Sequence, residues 1–332
     1  MTADTATGAD APADPLLSAL TARARAAAHG TPAPCPCAGV PLAVRPDATV
    51  VRHAGAVAKA HAPDTDPAAL TLRVATATRL PDLLLSPLAA PAPLGDPHGR
   101  LVTLWPYGTP VDRDDPDAAP WEAAATLLAR LHRTPVPVGL PPMRGPAKAA
   151  RALDRLHTAL RATPHGPARP AARPVLAAWA ALPAWARSRA PMPGPAALCH
   201  GDLHLGQLVR HPAPDGPWRL IDVDDLGAGV PAWDLARPAA WYACGLLPPD
   251  EWTRFLTAYR RAGGPAVPED GDPWPALDVP ARALTVQTAA LAVAKALAAG
   301  RPLDEVEQAL ADACARMPSA PPPPRRAPGI PG

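Results

Sequence analysis

The apolar pattern of this chain changes character once, and that change limits the folds open to it. From Val40 to about Leu104 the signals are strand-like. Residues 48–61, ATVVRHAGAVAKAH, form two β-rich runs around Ala54-Gly55, placed as a hairpin, and RLVTLW at 100–105 is a further strand. Beyond Trp105 the apolar residues recur at three- and four-residue spacing, the signature of amphipathic helices. Helices are predicted over 121–133, 146–163, 171–188, 248–262, 277–299 and 303–316, after a short one at 15–28. One island breaks the helical half: Ala196 to Asp225 reads strand, loop, strand, turn, strand. Strands gathered first and helices after them describe an α+β fold.

With 332 residues the chain has room for two lobes of roughly 100–200 residues each. The predicted organisation is a disordered tail at 1–14, an N-terminal lobe at 15–105, a helical C-terminal lobe at 106–317 and a disordered proline-rich tail at 318–332. A formal net charge of +2 excludes the broad basic excess that drives nucleic-acid binding. The start of the chain has neither a basic stretch nor an apolar run, so no signal peptide is expected. The longest apolar stretch, 283–300, is interrupted by Gln287 and Lys295 and is too polar to span a bilayer. A soluble cytoplasmic protein that binds neither nucleic acid nor membrane is expected; no pattern speaks to oligomeric state. The five cysteines are odd in number and scattered, unlike a disulfide framework. Cys35-Pro-Cys37 is half a metal site, but no second Cys/His pair stands at finger-like spacing.

The chemistry concentrates in LCHGDLHLGQLV, residues 198–209. Two histidines, an aspartate and a glutamine between apolar runs are costly to bury unless they satisfy one another or face a ligand. Asp202 is followed five residues later by Gln207, and Asp222 ends the apolar strand WRLI about twenty residues on. That is a phosphoryl-transfer layout: the first aspartate accepts the proton of an attacking hydroxyl, and the amide and second aspartate hold Mg²⁺ on nucleotide phosphates. Asp224 lies two residues beyond Asp222; on a continuing strand it joins the metal shell, and otherwise it is an exposed turn residue, as Asp225 is expected to be. Asp234 begins DLAR, a helix start where it caps or braces the loop. Lys59 is one of only three lysines; it sits in the apolar run AVAKA and either snorkels from a strand edge or contacts phosphate.

HGDLHLGQLV, LIDVDDLGAGVPAWDLAR (220–237) and TLLARLH (126–132) together resemble the aminoglycoside phosphotransferase family, over roughly residues 40–300. The resemblance implies a bilobal protein-kinase-like fold and an ATP- and Mg²⁺-dependent enzyme that phosphorylates a hydroxyl of a small-molecule acceptor. It implies Asp202 as catalytic base, with Gln207 and Asp222 as metal ligands, Asp224 joining them if the strand continues. Lys59 falls where such folds bind phosphate, Trp105 and Tyr107 where they receive adenine, and His200 and Asp234 support the loop. The chain departs from the family pattern in four places. Gln207 replaces an asparagine, Val230 replaces an aspartate, RPDAT (45–49) lacks the glycines of a phosphate loop, and no helical glutamate is evident to pair with Lys59. The missing glycine loop and the missing glutamate motivate the alternative of a weak or inactive nucleotide-binding protein. A further alternative is a metallohydrolase built on His200, Asp202, His204 and Asp222. The acidic cluster Glu269, Asp270 and Asp272 reads as a solvated loop or as a lure for a cationic substrate.

Overall fold

The computed structural model describes residues 14–30, 35–95 and 99–317. Most of the expected N-terminal tail and all of the proline-rich tail lie outside the described residues. The chain divides into two compact units: Met1–Pro120 with Pro137–Pro141 and Leu205–Asp224, and Trp121–Val136 with Pro142–His204 and Asp225–Gly332. The fold is the mixed α+β arrangement that the periodicity predicts.

The first unit opens with helix α1 (Pro15–His29), started by the Asp14 side chain and ended by Gly30 in the left-handed region. A five-stranded antiparallel sheet follows, built from β1 (Gly39–Val44), β2 (Thr49–His53), β3 (Ala56–Ala60), β4 (Ala92–Pro93) and β5 (Leu101–Pro106), in the order β1-β2-β3-β5-β4. Strands β2 and β3 form the expected hairpin, with Ala54 at positive φ in its turn. Leu20 and Ala24 of α1 pack on Val51, Ala58, Ala60 and Val102, so alternate residues of β3 enter this core and Val57 and Lys59 face the other way.

Helix α2 (Pro67–Arg79) stands inside the region read as strand-like. Its threonines and valine favour strands locally, but Asp66 accepts from the N–H groups of Ala68 and Ala69, and Pro67 presets the first turn. Part of the island also belongs to this unit. Strands β6 (Thr109–Pro110), β8 (Leu208–Arg210) and β9 (Trp218–Leu220) make a small sheet in the order β6-β8-β9. Leu220 exchanges backbone hydrogen bonds with Leu83 and Leu85, which anchors β9 beside the end of α2.

The second unit is helical: α3 (Trp121–Arg133), α4 (Gly145–Ala162), α5 (Ala172–Ala181), α6 (Ala236–Ala243), α7 (Pro249–Arg261), α8 (Trp274–Ala298) and α9 (Glu305–Arg316), with β7 (Ala197–Cys199) paired to β10 (Gly227–Gly229). Helix α5 ends seven residues before the predicted limit, at Ala181, two residues before Pro183. Helix α8 packs against α4, α6 and α9 and contributes the buried Leu277, Val286 and Val293. No described helix is long and apolar enough to cross a membrane.

Candidate active site

In the first unit the polar face of β3 presents Lys59. Its Nζ donates to Asp222 Oδ1 at 2.6 Å and lies 3.0 Å from Asp224 Oδ2. The two aspartates do not share a strand face, because β9 stops at Leu220 and Val223–Asp225 is a 3-10 turn. Asp222 has φ +64°, a left-handed conformation that aspartate tolerates better than most residues, and this turn brings both carboxylates to one ammonium. Gln207 ends a 3-10 turn and is fixed by Ile221 N–H donating to its carbonyl at 2.9 Å; its side-chain amide lies 3.5 Å from Asp222 Oδ2.

Asp224 is held from a second side. Thr103 Oγ1 accepts from the Trp105 indole N–H at 2.8 Å and contacts His61 Nε2 at 2.8 Å. With the Nδ1–H of His61 facing the Asp224 carboxylate at 3.2 Å, Nε2 of the neutral ring is left to accept from the hydroxyl. Burial alone would lower the Lys59 ammonium pKa and raise that of the Asp224 carboxyl. The mutual charges outweigh burial, so Lys59 is held above its ordinary value and Asp224 below.

Lys59, Gln207, Asp222 and Asp224 line a cleft of about 800 Å³ whose apolar walls include Leu42, Val50, Val57, Leu85, Trp105 and Ile221. Its size lies within the range of small-molecule and cofactor sites. Tyr107 lines it too, with the Arg52 guanidinium 3.5 Å over its ring. Where a glycine-rich loop would sit, Arg45–Ala48 forms a tight turn closed by two backbone hydrogen bonds, and Arg45 lines the cleft. No helical glutamate approaches Lys59 among the described residues; its acidic partners are Asp222 and Asp224. Two carboxylates and a carboxamide make a hard-oxygen donor set, and the two carboxylates already converge on a cation, so these residues fit Mg²⁺.

The second unit holds His200, Asp202 and Asp234. After β7 the chain turns at Gly201, φ +86°, where a Cβ would run into the Asp225 carbonyl oxygen, so glycine is required. The buried Asp234 carboxylate accepts from the backbone N–H of His200 at 2.6 Å and of Gly201 at 2.7 Å. It accepts also from His132 Nε2 at 3.0 Å. Tyr259 hydroxyl, which accepts from Ala266 N–H at 3.0 Å, donates to His132 Nδ1 at 2.7 Å and so sets the imidazole's orientation. Asp234 precedes α6 without capping it; it spans from the helix start to the loop.

Asp202 follows directly. Lys148 on α4 lies 2.5 Å from its Oδ2, and Arg237 on α6 lies 2.8 Å from its Oδ1. Arg237 also donates to the Leu203 carbonyl at 3.0 Å. Burial would raise the Asp202 carboxyl, but the Lys148 ammonium and Arg237 guanidinium outweigh it and hold it below the usual carboxylate value. Asp225 is buried and not the exposed turn residue expected: it bonds Lys148 at 2.8 Å. Sequence reasoning missed His61, Lys148, Asp225 and Arg237. The rarity of lysine pointed to Lys148, and Arg237 closes the DLAR motif.

Replacing Asp234 with Asn puts an amide N–H where a backbone N–H now donates, leaving a buried donor unmet at a cost of about 1–3 kcal/mol. Asp234→Asn is expected to lower the urea midpoint accordingly and to speed amide exchange at His200 and Gly201. Unchanged stability and exchange would show that the carboxylate does not brace the loop.

The sequence matches the phosphotransferase enzyme family, APH, over residues 47–278. No curated protein matches it. Among solved structures it is similar to a thermostable mutant of aminoglycoside phosphotransferase APH(4)-Ia in its apo form, with TM-score 0.56 and 11% identity over 90% of this chain and 100% of that one. It is similar to spectinomycin phosphotransferase APH(9)-Ia in complex with ADP and spectinomycin, with TM-score 0.52 and 13% identity over 86% and 89% of the two chains. Choline kinase from Cryptosporidium parvum Iowa II gives TM-score 0.51 and 10% identity over 85% and 88%. At these identities the structural likeness establishes the fold, and the family match over most of the chain establishes the kinship: the chain belongs to the phosphotransferase enzyme family and is a small-molecule kinase with a protein-kinase-like fold.

Proposed function

We propose that the protein transfers the γ-phosphoryl group of ATP, in the presence of Mg²⁺, to a hydroxyl of a small aminoglycoside-, sugar- or amino-alcohol-like molecule in the cytoplasm. The observation that carries this reading is the convergence of Lys59, Gln207, Asp222 and Asp224 on one cleft of nucleotide-compatible size. The similar spectinomycin phosphotransferase, solved with ADP, lends support. Bound Mg²⁺ supplies charge neutralisation on the phosphates. Lys59 would hold phosphate oxygens, and Asp222 and Asp224 would hold the metal. Gln207 turns its carbonyl oxygen toward the same place, and Trp105 and Tyr107 flank the base. Arg45 supplies charge where glycine N–H groups are missing.

Asp202 accepts the proton of the acceptor hydroxyl. Lys148 and Arg237 fix both of its oxygens and keep it ionised at neutral pH. With little covalent chemistry to perform, positioning of this kind is most of what such a residue contributes. Asp202→Asn is expected to lower turnover by roughly 10²–10⁴ while leaving ATP affinity intact, measured as ADP release with a panel of aminoglycosides, sugars and amino alcohols. A near-normal rate removes Asp202 from the role. ATP binding without turnover on any acceptor favours the inactive nucleotide-binding alternative.

The charge balance at Asp202 gives a pH signature. In the wild-type protein its carboxyl is depressed, so the acid limb of kcat/KM attributable to it lies below the ordinary carboxylate range. Lys148→Met removes the largest opposing charge, burial then raises the carboxyl, and the limb is expected to move toward neutral pH. Coincident profiles for the two proteins would contradict the assignment.

A further inference from the structure

Outside the phosphotransfer machinery, the first unit gathers four soft or borderline ligands at one place. His29 is the last residue of α1, Cys35 and Cys37 stand in the segment leading to β1, and His53 ends β2. One ligand atom from each, an imidazole nitrogen or a thiol sulfur, lies within 4.8 Å of all the others. We propose that His29, Cys35, Cys37 and His53 form a structural Zn²⁺ site that clamps the end of α1 to the β1-β2 hairpin.

Three observations support the site independently of proximity. The first is donor chemistry. Two thiols and two imidazoles are a complete ligand set for tetrahedral zinc, with Zn–S of about 2.3 Å and Zn–N of about 2.0–2.1 Å. A shell on those bonds has edges of about 3.3–3.8 Å. Cys35 Sγ already lies 3.1 Å from His53 Nε2. The rings of His29 and His53 meet edge to face with centroids 5.4 Å apart, so two imidazoles reach the cluster without stacking on each other.

The second is the state of His53. Its side chain is 2% exposed, and its Nδ1 is buried without a hydrogen-bond partner among the described residues. Its Nε2 meets the Cys35 thiol, a weak hydrogen-bonding group, and a metal bond at that nitrogen would replace a poor contact with a strong one.

The third is position. His29, Cys35 and Cys37 all precede Asp47, where the family match begins. They lie at or beside α1, which covers one face of the sheet. Helix α1 meets the sheet through Leu16, Leu17, Leu20 and Ala24, and Arg23 donates to the Pro93 carbonyl at 3.2 Å; a metal at its C-terminal end would tie that end to β2 as well. The spacing is His-x5-Cys-x-Cys-x15-His. It escapes a sequence search for paired motifs because the two histidines flank the cysteine pair at unequal distances.

Binding is a proton exchange: the two thiols release their protons to solvent as two S–Zn bonds form, and two neutral imidazoles complete a shell of zero net charge. The test uses the full chain, reduced and passed through a chelator. Reloading with Zn²⁺ is expected to give one zinc per chain by elemental analysis, and Co²⁺ in its place is expected to give tetrahedral d–d bands with thiolate-to-cobalt charge transfer. In the wild-type protein Zn²⁺ is expected to protect Cys35 and Cys37 from alkylation, read by peptide mass, a measurement that needs no variant. Cys35→Ser/Cys37→Ser is expected to lose the zinc, while Cys244→Ser keeps it. Failure of the reduced wild-type chain to take up zinc stoichiometrically, unprotected alkylation of Cys35 and Cys37, or equal zinc in the double variant would each overturn the proposal.

Discussion

The ammonium of Lys59 is nearly buried, and everything in the first unit's cleft is arranged around that fact. An isolated buried charge costs several kcal/mol even after relaxation, so the strand can carry it only if opposite charges come to meet it. Asp222 and Asp224 do so, and to reach it the chain leaves its strand at Leu220 and places Asp222 at positive φ. One ammonium against two carboxylates leaves the cluster short of positive charge. That deficit is what the proposed divalent cation would make up; on the other side His61, linked to Thr103 and Trp105, meets Asp224.

The second unit solves a related problem with the opposite balance. Asp202 and Asp225 share Lys148, while Arg237 and Arg144 add further positive charge, the latter 3.6 Å from Asp225. Here cations outnumber carboxylates. Such a cluster orients Asp202 and holds its carboxyl low without calling for a metal, in keeping with the proton-acceptor role proposed for it. The loop bearing Asp202 is shaped by a third carboxylate, Asp234, whose oxygens take up the two backbone N–H groups exposed by the turn at Gly201. The aspartates of this region thus differ in their partners: Asp202 and Asp225 meet cations, and Asp234 meets backbone N–H groups and an imidazole.

The sequence disclosed the architecture where periodicity is long and unambiguous, as in α3, α7 and α8, and where turn chemistry is local, as in the β2-β3 hairpin. Helix α2 was hidden because Thr71, Val74, Thr76 and Thr78 favour strands and only the Asp66-Pro67 start announces a helix. The assignments around Asp222, Asp224 and Asp225 were the hardest to read. Their partners Lys59 and Lys148 lie 163 and 77 residues from the residues they bind, Asp222 and Asp225, and no local pattern says which aspartate faces which lysine. The motif announced a phosphotransferase; the charge pairs behind it had to come from the fold. The same is true of His29 and His53, which complete the Cys35-Pro-Cys37 pair only in three dimensions.

The central claim is that the buried Lys59 cluster is where nucleotide and metal are held. Calorimetric titration of ATP into the full chain, with and without Mg²⁺, tests it against Lys59→Met, which keeps the apolar stem and removes the charge. The account expects tight binding by the wild-type protein only with Mg²⁺, and at least a tenfold loss of affinity in the variant, about 1.4 kcal/mol. Equal affinity in the two proteins, or wild-type binding indifferent to Mg²⁺, would contradict it.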